Sequence, residues 1–134
     1  MGNRYVIAIA LMLAFLFGSQ AVAGQKIGLD EKAALQAALM KHIDRQTVDG
    51  EFLYLDTSTG EVHALYPGTT HPMVLGMGEH FVLCYNFRDD KGNLAEVDFY
   101  LAKRDQSYVV FHTAVNNRGI LESLMKDGKV ERLD

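Results

Sequence analysis

At 134 residues, 49% of them apolar, the chain has the length of one domain and enough apolar material for a core of its own. Seventeen acidic residues against thirteen basic ones give a formal charge of −4, and no basic run occurs, which excludes the clustered cations that nucleic-acid binding draws on. A single cysteine, Cys84, excludes an intrachain disulfide.

Residues Met1 to Ala23 have the three parts of a secretory signal in order: a short head with Arg4, an apolar run from Val6 to Phe17, and the small-residue end Ala21-Val22-Ala23. Cleavage after Ala23 is expected, leaving Gly24 to Asp134 as a single small domain. A membrane span needs about 20 apolar residues, and Gly18, Ser19 and Gln20 break the run before that length. The expectation is an exported protein, periplasmic or secreted, with no membrane span after cleavage.

Asp30 reads as the N-cap of a helix running to about Gln46, with Leu35, Leu39 and Ile43 on one side and Lys32, Gln36, Asp44 and Arg45 facing away. Glu51 to Leu55 and Glu61 to Tyr66 alternate around the polar loop Asp56 to Gly60, a hairpin signature. Pro67-Gly68 is expected to stop the second strand, and Gly76 and Gly78 to bend the segment Met73 to Glu79. His80 to Arg88, Leu94 to Ala102 and Tyr108 to Val115 then form a meander with strict period-two alternation. One face carries Phe81, Leu83, Tyr85, Phe87, Ala95, Val97, Phe99, Leu101, Val109, Phe111, Thr113 and Val115 and must be buried, with the first helix as its cover. The other carries Cys84, Glu96, Asp98, Tyr100, Tyr108 and His112. Ile120 to Lys126 suggests a short helix with Ile120, Leu121, Leu124 and Met125 inward and Gly128 past its end, and Lys129 to Asp134 is a tail or last strand.

This order predicts a two-layer α+β domain: an N-terminal helix packed on a curved antiparallel meander of about five strands, then a short C-terminal helix. It resembles the cystatin fold, or the related cone-shaped fold of nuclear transport factor 2-like proteins. Gln46-Thr47-Val48-Asp49-Gly50 also matches the Gln-x-Val-x-Gly pattern of cystatin protease inhibitors. In that family the pattern forms a hairpin apex after a further strand, whereas here it follows the helix directly, and the chain has no Trp for the family's later loop. The resemblance therefore implies a scaffold, and such scaffolds serve inhibitors, carriers and enzymes alike.

Turn lengths suggest a register. Pairing Arg88 with Leu94 sets Cys84 opposite Asp98, and pairing Ala102 with Tyr108 sets Asp98 opposite His112, a row across three strands. With the aspartate in the middle, the cysteine lies two strand spacings from the histidine, and a neighbouring carboxylate raises a thiol pKa, so a cysteine hydrolase is disfavoured. Cys84 is nonetheless a possible reactive thiol, against the commoner reading of a small buried residue without a second cysteine to resolve it. Asp98 and His112 with Glu96, Cys84 or His80 lack the spacings of a metal site, and an Asp98–His112 ion pair on a solvated face is the ordinary alternative. His42 and His63 read as boundary residues and His71 as part of a loop.

No catalytic residues, metal or cofactor are assigned. By elimination, the sequence points to a small non-catalytic binding or accessory domain that engages a protein or peptide, or a second copy of itself, with Glu96, Asp98, Tyr100, Tyr108 and His112 as candidate contact residues. The alternative is a small-ligand or enzymatic pocket formed if the sheet curls around that same polar face.

Overall fold

The computed structural model describes residues 26–134; the secretory-signal reading of the first 23 residues lies outside them. The element order is α1 (Leu29–Gln46), β1 (Thr47–Val48), β2 (Glu51–Asp56), β3 (Glu61–Met77), β4 (His80–Arg88), β5 (Leu94–Arg104), β6 (Ser107–Val115), α2 (Arg118–Lys126) and β7 (Glu131–Arg132). Strands β1 to β6 pair in sequence order as one antiparallel meander, and β7 adds to β3. The class is α+β, with six strands in the meander where the sequence suggests about five.

Helix α1 starts two residues earlier than its composition indicates. Gly28, not Asp30, occupies the cap, its carbonyl accepting from Lys32 N–H at 2.9 Å, and Asp30 and Glu31 sit in the first turn, where acidic groups suit the helix dipole. Leu35, Leu39 and Ile43 are buried as their spacing requires, against Leu83, Phe87, Val97, Phe99 and Leu101 of the sheet. Each such side chain contributes about 1.5–3 kcal/mol of burial, enough to hold the helix on the sheet. At the helix end the Thr47 hydroxyl donates to the Ile43 carbonyl at 2.8 Å, and Asp49 and Gly50 both take positive φ, the backbone of a two-residue hairpin turn that pairs Val48 with Glu51. The Gln46 to Gly50 segment is thus a helix end followed at once by a hairpin.

Pro67-Gly68 does not stop β3. The strand continues to Met77, and two register shifts, between Pro67 and Thr69 and between Thr70 and Val74, absorb the residues that cannot join the ladder. Gly76 pairs regularly with Phe81; its missing side chain makes room for Leu133, whose Cδ2 would lie 2.9 Å from an added Cβ. Gly78, at φ 60°, serves the tight turn into β4.

The domain is covered on both faces, not one. Leu121 of α2 packs with Leu75, Val82, Cys84, Tyr100, Ala114 and Val130 on the face opposite α1. Of the four apolar residues expected inward on α2, Leu121 and Leu124 are, whereas Ile120 and Met125 are 50% and 42% exposed. A face carrying Val82, Cys84 and Tyr100 needs cover over that area, and a nine-residue helix is long enough to supply it.

Candidate functional site

The β4–β5 register is the one the turn length implies: Arg88 pairs with Leu94 and Cys84 with Asp98. Asp89 fixes that turn by accepting from the backbone N–H groups of Lys91 at 2.9 Å and Asn93 at 2.7 Å. The β5–β6 register differs. Ala102 pairs with Val109 and not with Tyr108, a shift of one residue at the turn, and Leu101 with Val110 followed by Tyr100 with His112 leaves Phe111 as an extra residue in a bulge; the two shifts together set Asp98 opposite Ala114. The row Cys84–Asp98–His112 does not form.

The one-residue shift at the turn exchanges the faces of Tyr108 to Val110, and the bulge returns His112 to the face of Tyr100. Tyr108 and Val110 point toward α1, where the Tyr108 hydroxyl donates to Glu31 Oε1 at 2.7 Å. Phe111 turns to the other face, half exposed, with its ring 5.3 Å from His80 and 6.4 Å from Tyr100. His112 is exposed, its ring centroid 5.5 Å from Tyr100. Tyr108 therefore does not share a face with Glu96, Asp98, Tyr100 and His112, as strict alternation implies.

Asp98 is 2% exposed, and its partner comes from α2. Arg118 Nε donates to Asp98 Oδ2 at 3.1 Å, while Nη2 approaches Oδ1 at 2.9 Å, off-line for a hydrogen bond but close enough for charge contact. Arg118 Nη1 also lies 3.5 Å from Glu96 Oε1 at the rim. Burial pushes the Cys84 thiol up to about 12, helped by its hydrogen bond to Asp98 and that residue's charge. Burial likewise raises Tyr100, with the Asp98 charge adding to it. The cluster holds a protonated thiol, a neutral phenol and a carboxylate paired with Arg118 beneath a helix, an arrangement suited to fixing α2.

Arg118 escapes a reading by spacing because the turn Asn116 to Gly119 hides the start of α2. The signal that could point to it is chemical: an aspartate on a face that also carries Val82, Cys84 and Tyr100 requires a cation. Among the described residues, no group of three or more His, Cys, Asp or Glu is placed to hold a metal ion.

The same sheet face continues beyond α2 onto β1, β2 and the first half of β3, and there its character changes. Leu53 pairs with Ala64 and Leu55 with Val62, on the side away from the buried pair Phe52 and Leu65. Leu55 and Val62 are 58% and 65% exposed, with Val48, Leu53, Tyr66 and Leu94 exposed around them. Tyr66 donates to Glu51 at 2.9 Å, which orders the surface without covering it. On the inner side Tyr54 stacks on His63 at 5.3 Å and extends the hairpin past the core.

None of the described helices is long and apolar enough to cross a membrane. No protein-family model matches the chain, and neither does a curated protein or a solved structure.

Proposed function

We propose that this protein is an exported, non-catalytic binding or accessory domain that engages a protein or peptide, a second copy included, through the uncovered face of β1, β2 and β3. The observation that carries the reading is the apolar pair Leu55–Val62 on a hairpin projecting past the core, with Val48, Leu53 and Tyr66 beside it. Contiguous exposed apolar surface of this kind marks interaction sites on soluble domains. The burial of Cys84 and Asp98 under α2 supports it too, since the groups best suited to chemistry are spent on internal contacts. Export rests on the signal-like order of the first 23 residues. The scaffold this reading uses is cystatin-like or nuclear transport factor 2-like, in which a helix lies across a curved sheet.

A photocrosslinking residue placed at Val62 in the producing cell tests the proposal, with the same residue at exposed Glu122 on α2 as the control. A discrete heavier species from position 62 and none from position 122 is expected. Equal, diffuse crosslinking from both positions contradicts it.

A further inference from the structure

The meander has two free edges, and both line one groove. Strand β6 has no neighbour beyond it, and β1 covers β2 only where Val48 pairs with Glu51 and Thr47 with Phe52. The groove, of about 730 Å³, is formed by Leu53 to Thr57, by His112 to Asn117 and by Gln46 at the end of α1. The backbone directions along both edges follow from the ladders. Asn116 N–H donates to the Glu96 carbonyl at 2.8 Å, so Ala114 and His112, in step with it, direct their backbone groups to β5, and Thr113 and Val115 direct theirs outward. On β2 the two-residue turn sets Glu51 toward β1, hence Phe52 and Tyr54 toward β3 and Leu53 and Leu55 toward the free side. Gly60 N–H donating to the Asp56 carbonyl at 2.7 Å agrees with that order. Among the described residues no other backbone group bonds the outward groups of Leu53, Leu55, Thr113 and Val115. Neither Leu53 to Leu55 nor His112 to Val115 contains a Lys, a Pro or a bulge, the devices that blunt a strand edge against pairing.

Strand direction and side-chain chemistry select the occupant. Every step from β2 to β6 is antiparallel, so β2 and β6 run the same way, and a single strand running the other way is antiparallel to both. Toward the core the groove offers Phe52, Tyr54 and Val115, and on the opposite face Leu53, Leu55 and Ala114. A strand apolar on both faces matches it, which means a run of apolar or β-branched residues at successive positions. Among the described residues the chain's own candidates are engaged elsewhere: Ile27 N–H donates to the Leu133 carbonyl at 3.0 Å, and β7 pairs with β3. We propose that the groove takes an extended segment of another protein, rich in Val, Ile and Thr, as an added strand between β2 and β6. The inference rests on the protein-partner reading and gives that partner a form, an extended strand held by its backbone beside the Leu55–Val62 pair.

Linear heptapeptides selected on the protein from a random phage-displayed library test the site, each then synthesised with its alternate backbone nitrogens methylated. Selected sequences should be rich in Val, Ile and Thr. Alternate N–H groups of an inserted strand face β2 and β6 in turn, so methylating the odd set and methylating the even set should each weaken binding by about tenfold or more. Thr113→Pro removes an outward N–H that no ladder uses, a place where a strand tolerates proline, and should weaken the unmethylated peptide about as much, while Thr113→Ala should not. The proposal is overturned if no peptide is selected, if methylation of only one set matters, which is pairing with a single edge, if neither set matters, which is side-chain contact alone, or if Thr113→Pro binds as the parent does. Crosslinking of a partner from position 62 that persists in Thr113→Pro also overturns strand addition while leaving the partner reading in place. Absence of a crosslinked species from position 62 in the parent defeats the partner reading itself.

Discussion

Arg118, the first residue of α2, holds Asp98, in the middle of β5, with Nε 3.1 Å from Oδ2 and Nη2 2.9 Å from Oδ1. The two are 20 residues apart in sequence, and their contact ties the second helix to the sheet. Removing Arg118 leaves Asp98 buried without a cation, which costs about 3–5 kcal/mol for a buried pair broken on one side. Arg118→Ala should lower the urea midpoint accordingly, while the double substitution Asp98→Leu with Arg118→Met should lie closer to the parent. Equal destabilisation by both would show that the charge contact is not what holds the helix.

Cys84 should behave as an inert thiol. Its side chain is 3% exposed and its pKa is pushed up to about 12 by burial first and then by Asp98. Iodoacetamide at mildly alkaline pH should leave the native protein unmodified and label it fully in denaturant. Rapid native labelling would mean that α2 opens readily.

Alkaline pH should weaken the fold from two sides. The Cys84 thiol rises from 9.0 to about 12, and the Tyr108 phenol rises from 10.0 to about 12 through burial and its hydrogen bond to Glu31. In the unfolded chain both protons leave near the ordinary values, so their contributions are complete below about pH 9 and 10 and are lost as pH climbs to about 12. Stability measured between pH 8 and 12 should therefore fall, and the fall should be shallower in Cys84→Ala and in Tyr108→Phe. An unchanged slope in both variants would remove these groups as its cause.

Gly68 lies at the first bulge of β3, where an added Cβ would meet the Asn86 carbonyl oxygen at 2.5 Å. Backbone cannot yield as a flexible side chain can, and the Gly68 carbonyl also accepts from the Tyr85 hydroxyl at 3.2 Å. Gly68→Ala should cost about 1–3 kcal/mol, the usual size of an overpacking penalty, read as a lower thermal midpoint. A neutral result would mean that β3 can separate from β4 at this point without loss.

Much of the scaffold can be read from spacing alone. Leu35, Leu39 and Ile43 repeat at helical intervals, and the alternation from Phe81 to Leu101 with the turn Asp89 to Asn93 sets the faces and register of β4 and β5. Strand β6 is opaque for a definite reason. Tyr108-Val109-Val110-Phe111 is apolar at every position, so alternation carries no information where the bulge occurs, and one residue of register at the turn plus one in the bulge move His112 away from Asp98. Strand β3 misleads in the opposite way, because Pro67 and Gly68 are strong breakers in isolation yet fit a bulge on a strand that tertiary pairing continues. Arg118 is invisible to periodicity since its role depends on where α2 lands.

The proposed binding of another protein through the Leu55–Val62 face leaves a trace in the mass of the isolated protein. Native mass spectrometry of the protein isolated gently from its source tests it most directly, alongside a variant carrying Leu55→Lys and Val62→Glu. These exposed positions tolerate charge, so the variant should fold normally. A protein-sized added mass, from a partner or a second copy, is expected in the parent and absent from the variant. A single-chain mass in both proteins, with or without a small molecule, or an added protein that survives the substitutions, would contradict it.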